Sequence, residues 1–115
     1  MQRGDIYLTD LNPSKGSEAK GLRPVIIVSN DAANTNVADY KRGVITVVPL
    51  TSNVNKVFPF QVLIPAEVSG LERDLKAQTE QLRSLAFERF LRPLSSLPNR
   101  YMQELDAAMK LHLNL

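Results

Sequence analysis

The sequence lacks several residue types that common catalytic and structural sites require. Cysteine is absent, and histidine occurs once, at position 112. Without cysteine the chain forms no disulfide, thiolate nucleophile or sulfur-ligated metal site, and we expect a cytoplasmic protein, not a small secreted scaffold. A single histidine excludes histidine acid–base pairs and multi-histidine metal sites within one chain. Because no apolar run reaches the length of a membrane span, we expect no membrane partner.

The sequence does contain the apolar material that one folded domain needs. The chain has 115 residues, of which 43% are hydrophobic, and this is an ordinary size for a domain. We therefore expect a single domain over residues 1–115. Its formal net charge is only +2, from 14 basic and 12 acidic residues. A nucleic-acid partner would therefore require positive charges clustered on one face of the protein.

Hydrophobic patterning predicts a small β-rich α+β domain. Alternation over Asp5–Asp10 indicates a half-buried strand, and the β-branched run Val25–Val28 indicates a central strand that is covered on both faces. The polar residues between these strands predict a long loop, which is typical of either a functional loop or a disordered surface loop. The other predicted elements are a weak helix over 31–40, strands over 44–50 and 60–64, and an amphipathic helix after Pro98.

Residues 71–93 carry a different pattern. Leu71, Leu75, Leu82 and Leu85 recur at a spacing that fits one face of a helix better than the alternation of a strand. Periodicity alone therefore predicts a helix in this stretch.

Five groups of residues, in order along the chain, give the sequence a family resemblance. They are Arg3-Gly4-Asp5-Ile6-Tyr7, residues 10–18, residues 23–31, Val48-Pro49-Leu50-Thr51-Ser52, and Phe58-Pro59-Phe60 with Glu80-Gln81-Leu82-Arg83-Ser84-Leu85. In these motifs the sequence resembles the MazF/PemK family of toxin–antitoxin endoribonuclease toxins. The resemblance implies an SH3-like, partly open β-barrel with a C-terminal α-helix, and a homodimer. It also implies a strand across Glu80–Leu85, against the helical periodicity, and here we follow the resemblance.

The same resemblance implies a function. The protein would be the toxin of a type II toxin–antitoxin system. It would act as a sequence-specific endoribonuclease that needs neither a metal nor another cofactor. Such an enzyme cleaves single-stranded mRNA to 2′,3′-cyclic phosphate and 5′-hydroxyl ends, and so inhibits translation and growth. The implied partner is a cognate antitoxin whose acidic, disordered tail folds into the RNA groove.

Three residues match positions that carry the activity of the family. Arg23 matches the catalytic arginine, and a guanidinium offers a fixed fork of donors to the charge that builds on phosphoryl oxygens during cleavage. Thr51 matches a second active-site residue, although a threonine that simply closes a strand is the commoner arrangement. Glu18 matches a loop position, where a carboxylate accepts the 2′-hydroxyl proton if its loop closes over substrate. The identity of the general base stays open at this stage.

A second set of residues is expected to bind RNA. Lys15 and Lys20 lie in the loop before Arg23, with Arg3 expected nearby, and form either a phosphate-contacting patch or a solvated charged loop. Phe58 is suited to stacking on an unpaired base, as single-strand binders require, or to filling the core. The remaining expected RNA-binding residues are Ser17, Ser52, Gln81 and Arg83.

Two other functions compete with the nuclease. One is a non-enzymatic toxin of the same fold that poisons DNA gyrase, a class that relies on a tryptophan near its C-terminus. This chain has no tryptophan and ends in Leu113-Asn114-Leu115, so that alternative is disfavoured. The other is a non-catalytic SH3-like binding module, against which the matches at Arg23, Thr51 and Glu18 argue.

Overall fold

The alternating segments of the sequence form one antiparallel sheet of seven strands. The computed structural model describes all of residues 1–115. The strands are β1 (Asp5–Asp10), β2 (Leu22–Ile27), β3 (Val44–Thr51), β4 (Gln61–Ile64), β5 (Leu75–Gln78), β6 (Arg83–Ala86) and β7 (Phe90–Ser96). The helices are α1 (Asp31–Tyr40), the single turn α2 (Ala66–Ser69) and α3 (Asn99–Leu113). Short 3₁₀ turns at Thr79–Gln81 and Phe87–Arg89 flank β6.

Strand β2 lies in the middle of the sheet, as its continuous apolar run predicts. The strand order is β4-β5-β3-β2-β1-β7, and β6 also pairs with β3. Ile26 of β2 is paired with Ile6 on one side and Val48 on the other. The strand begins earlier than predicted because Arg23 and Pro24 continue its pairing with β1. The order has two ends and the sheet is open, so the predicted α+β class with a C-terminal helix is confirmed.

Alternate residues of the central strands serve two different cores. Ile26, Val48 and Leu50 face the larger core, which α3 covers with Met102 and Leu105. The residues between them face a second, smaller core on the opposite side of the sheet, made of Leu11, Val25, Ile27, Ile45, Val47 and Leu85. Partly buried Ala19 and Val37 pack against that smaller core. The face away from α3 is therefore only thinly covered, and it is the face that carries the candidate site.

The predicted helix after Asn30 is present and has the expected cap. The Asn30 side chain accepts a hydrogen bond from the Ala33 amide at 2.9 Å, which satisfies one free N–H of the first turn. The helix ends at Tyr40, and the Lys41 that follows it has a left-handed backbone with φ of 54°. No helix of the protein is both long and apolar enough to cross a bilayer.

The helix that periodicity predicts for residues 71–93 is wrong. This stretch contains β5, β6 and the first residues of β7. Leu75 faces the larger core and Leu85 the smaller one, so leucines that look like one helical stripe point to opposite sides of a sheet. The strand that the resemblance implies over Glu80–Leu85 is present from Arg83 onward, and Glu80 and Gln81 form the 3₁₀ turn before it.

Candidate functional site

Strand alternation puts the predicted residues Arg23 and Thr51 on one face of the sheet. The pairing of β2 with β3 ends at Val25 and Pro49, and Arg23 and Thr51 lie two residues beyond that pair on their strands. Every second residue of a strand shares a face of the sheet, and Val25 and Val47 of these strands both face the smaller core. Arg23 and Thr51 therefore lie on the same, thinly covered face.

Arg83 lies on the same face, at the other edge of β3. It is paired with Val47, which is four residues before Thr51 and alternates onto the same face. Arg23 and Arg83 are both partly exposed. Neither forms a salt bridge: the one ion pair of the protein joins Arg3 and Asp106. This face of the sheet thus carries two guanidiniums that have no carboxylate partner, and such donors attract an anion.

The loop between β1 and β2 is held closed at its base. The Leu11 amide donates to the Gly21 carbonyl at 2.9 Å, and the Gly21 amide donates to the Asn12 side chain at 3.1 Å. The Arg89 guanidinium donates to the Asp10 carbonyl at 3.0 Å and to the Asn12 carbonyl. The Arg23 Nε donates to the Lys20 carbonyl at 3.0 Å, which ties the site arginine to the same loop. The loop therefore has a defined position over the site.

Gln81 fixes the part of this loop that carries Glu18. Its Oε1 accepts a hydrogen bond from the Ala19 amide at 3.0 Å, and its Nε2 donates to the Ser17 carbonyl at 2.9 Å. Glu18 lies between these two contacts, is exposed, and accepts a hydrogen bond from the Lys15 amide at 2.6 Å. Glu18, Glu80, Gln81, Leu82 and Arg83 line one small pocket. The structure thus brings Glu18, Gln81 and Arg83 together.

The other predicted RNA-binding residues lie on exposed loops around this group. Lys15, Ser17 and Lys20 are exposed on the β1–β2 loop, and Ser52 is exposed in the turn after β3. Phe58 lies in the β3–β4 loop, with its side chain 38% exposed and its ring stacked parallel on Phe60 at 5.4 Å. A partly exposed, rigidly supported aromatic face of this kind is suited to stacking on a base.

The expectation that Arg3 lies near the loop patch is wrong. Its Nε donates to the Val28 carbonyl at 2.9 Å, and its guanidinium forms the ion pair with Asp106 of α3. Its backbone amide also donates to the Asp31 carboxylate at 2.6 Å. Arg3 therefore ties the chain start to two helices and is not part of the site.

Two residues around the site were not expected from the sequence. Arg89 anchors the loop through carbonyls that precede it by 77 and 79 residues, a separation that leaves no local signal. Lys76 stands opposite Thr51 on β5, is only 8% exposed, and donates from Nζ to the Lys56 carbonyl at 2.6 Å. A lysine in an alternating strand is ordinarily taken for a solvent-facing residue, so its burial shows only in the structure.

Tyr7 is the group whose ionisation the fold clearly changes, and it lies outside the site. Burial and, to a lesser degree, the nearby Asp5 carboxylate raise the pKa of Tyr7 above its ordinary value of 10.0. Its ring meets Phe90 edge-on at 5.8 Å between centroids. The perturbed group is therefore part of the packing between β1 and β7.

The protein is a small antiparallel-sheet protein with basic and hydroxyl side chains beside the β1–β2 loop. Such side chains suit a phosphate-bearing ligand. The family model for PemK-like, MazF-like toxins of type II toxin–antitoxin systems matches residues 2–113. The chain therefore belongs to this toxin family, as its motifs predict.

Individual relatives agree with this assignment. The chain is 54% identical over 115 residues to endoribonuclease MazF9 of Mycobacterium tuberculosis, covering 100% of this chain and 98% of that protein. It is 38% identical over 116 residues to endoribonuclease MazF of Staphylococcus saprophyticus, covering 100% and 92%. The solved structure of a mycobacterial endoribonuclease in complex with its cognate antitoxin has the same fold, with a TM-score of 0.79 at 23% identity, covering 100% and 96%. The predicted enzyme class, endoribonuclease, is confirmed by the two named relatives.

Proposed function

We propose that this toxin cleaves single-stranded mRNA at specific sequences, without a metal ion, at the site formed by Arg23, Thr51 and the Glu18 loop. The observation that supports the proposal is that Arg23 and Thr51 share one thinly covered face of the sheet and that the Arg23 guanidinium has no carboxylate partner. The chain acts as one domain over residues 1–115. Since mRNA is the substrate, we place its action in the cytoplasm.

The proposed reaction is an internal transfer at one phosphate of the RNA. The 2′-hydroxyl oxygen attacks the adjacent phosphorus, the bond from phosphorus to the 5′-oxygen breaks, and a 2′,3′-cyclic phosphate and a 5′-hydroxyl end result. Arg23 donates to the non-bridging oxygens from its terminal nitrogens, which have no protein partner, and the Thr51 hydroxyl donates to the same group. Such donors, fixed in advance, stabilise the charge that develops in the transition state.

The proton of the 2′-hydroxyl needs an acceptor, and Glu18 is the proposed one. Its carboxylate is exposed, lies on the ordered loop beside the site, and has the Lys15 amide as its hydrogen-bond donor. A carboxylate in reach of the hydroxyl takes up the proton as the oxygen attacks. The leaving 5′-oxygen receives a proton from the Arg23 guanidinium or from water.

RNA on either side of this phosphate would be held by the surrounding loops. Lys15, Lys20 and Arg83 supply phosphate contacts, which position the strand, and Phe58 supplies a stacking face for a base. Ser17 and Ser52 supply hydroxyls at the rim. The Gln81 amide is already bonded at both ends, so its proposed contribution is to hold the loop in place.

The proposed protein partners are an antitoxin and a second copy of the chain. The uncompensated basic side chains of the site fit an acidic, disordered antitoxin tail, which would fold on binding and exclude RNA. A groove between β4 and α3 exposes apolar side chains, with Leu63 42% and Leu111 58% exposed. An exposed apolar groove favours a protein contact, and we assign it to the homodimer.

Cleavage of a long synthetic RNA in the presence of EDTA tests the function. We expect discrete cuts whose upstream ends carry a 2′,3′-cyclic phosphate and whose downstream ends carry a 5′-hydroxyl, and we expect folded Arg23→Ala to make none. Absence of cutting by the wild type across varied sequences would reject the nuclease and favour a binding module. Cuts that require a divalent ion would reject the metal-independent mechanism.

A further inference from the structure

Lys76 is a nearly buried cation that has no counter-ion. It is 8% exposed, while the only ion pair of the protein joins Arg3 and Asp106 on the other side of the sheet. Removing an ammonium group from water costs free energy unless charge or hydrogen bonds replace the lost solvent. A methionine would fill a similar volume at this position without that cost, so packing alone does not account for a lysine.

The hydrogen bonds of Lys76 leave most of its donors free. Its Nζ donates to the Lys56 carbonyl at 2.6 Å and lies 6.0 Å from the centre of the Phe58 ring. An ammonium group carries three N–H donors, so two of them have no partner in the protein. The Lys56 carbonyl therefore holds the ammonium in place without neutralising it.

The position of Lys76 in the sheet relates it to the candidate site. It is the direct partner of Thr51 across β5 and β3. Strand alternation puts Lys76 and Thr51, together with Arg23 on β2, on the face away from α3. Because neighbouring strands are about 4.8 Å apart, a phosphate at the Thr51 side chain lies within reach of a lysine side chain at position 76.

We propose that the Lys76 ammonium binds a phosphate oxygen of RNA at the Thr51 end of β3. This inference rests on the proposed function, because the counter-ion that Lys76 lacks would be a phosphate of the RNA substrate. In the free protein Lys76 is 8% exposed and has no charged partner, and bound RNA would add a phosphate at the ammonium. Lys76 then contributes to RNA affinity by neutralising one phosphate charge.

The experiment measures the affinity for a non-cleavable RNA as a function of salt. The probe is a single-stranded oligonucleotide that spans a mapped cut site and carries 2′-deoxyribose at the nucleotide that would supply the attacking hydroxyl. Wild type, Lys76→Met and Lys76→Arg are compared, with Lys110→Met as the matched control because Lys110 is an exposed lysine of α3. Thermal unfolding of each variant establishes that it is folded at the assay temperature.

We expect Lys76→Met to raise the Kd about tenfold, the weight of one hydrogen bond to a charged group. The slope of log K against log salt should become shallower by about 0.7, because one fewer phosphate is neutralised on a single strand. Lys76→Arg should restore the slope, and Lys110→Met should leave Kd and slope unchanged. This pattern would support the phosphate contact.

Two outcomes overturn the inference while the proposed function stands. One is an unchanged Kd for Lys76→Met in a preparation where wild type cleaves RNA and Arg23→Ala does not. The other is a raised Kd with an unchanged salt slope, which assigns Lys76 to holding the Lys56–Phe58 segment and not to a phosphate. Failure of the wild type to bind or cleave RNA rejects the proposed function itself, and the Lys76 contact with it.

Discussion

Replacing Gln81 tests whether the order of the Glu18 loop matters for cleavage. Gln81 makes two hydrogen bonds to the loop, at 3.0 and 2.9 Å, and each is worth about 1 kcal/mol. Gln81→Glu keeps the acceptor for the Ala19 amide but turns an oxygen toward the Ser17 carbonyl, so it loses one bond. Gln81→Ala loses both bonds, and the two variants should therefore differ in a graded way.

The expected magnitudes follow from those bonds. A loss of about 1 kcal/mol raises the opening equilibrium of the loop about fivefold in Gln81→Glu, and a loss of about 2 kcal/mol raises it about thirtyfold in Gln81→Ala. Amide exchange at Ala19 should accelerate by these factors, since exchange reports local opening. The kcat/KM for RNA cleavage should fall by at most the same factors, because only the closed loop is competent.

The assay pairs amide hydrogen exchange with cleavage of a fluorogenic RNA at substrate concentrations below KM. Gln103→Ala is the control, since Gln103 is an exposed glutamine on α3 and should change neither quantity. Unchanged hydrogen exchange of the Ala19 amide in both variants would show that Gln81 does not hold the loop. Exchange at Ala19 fast enough to show a mostly open loop in Gln81→Ala, together with wild-type kcat/KM, would show that cleavage does not depend on loop order.

Two further predictions concern stability. Arg3→Met removes the Asp106 ion pair and the hydrogen bond to the Val28 carbonyl, so the free energy of unfolding should fall by about 1 kcal/mol and Tm by about 5 °C in a thermal scan. An unchanged Tm would show that these contacts contribute nothing. Folding raises the pKa of Tyr7 above its ordinary value of 10.0. The contribution of this shift to the free energy of unfolding is therefore fully present below pH 10 and is lost as pH rises through the higher folded pKa. Tyr7→Phe should therefore lose less stability between pH 9 and 11 in urea titrations, and an equal loss would contradict the shift.

Local signals account for much of the fold. Alternation located β1, the apolar run located β2, and the Asn30 side chain marked the start of α1 at Asp31. These features depend on residues within a few positions of each other, which is why sequence alone reveals them. The leucines at 75 and 85 show the limit, because the same spacing serves a helix stripe or two opposite faces of a sheet.

The candidate site depends on pairing between distant segments. No local pattern links Arg23 to Thr51, and the family resemblance alone predicts that they share a site. The structure puts them on one face of neighbouring strands. The Gln81 contacts with the β1–β2 loop join residues 62 and 64 positions apart. Such contacts follow from strand order and loop packing, which residues close together in the sequence do not reveal.

The single-turnover cleavage rate of Arg23→Ala, on an RNA that carries one mapped cut site, tests the role of this guanidinium most directly. We expect a rate at least about 100-fold below wild type, the usual cost of removing one fixed transition-state donor. Loss of the hydrogen bond from Arg23 Nε to the Lys20 carbonyl should lower Tm by no more than about 5 °C. Arg42→Ala, at an exposed arginine beside the opposite end of β3, should cleave at the wild-type rate. Wild-type cleavage by a folded Arg23→Ala variant would contradict the central claim that this guanidinium stabilises the phosphoryl charge.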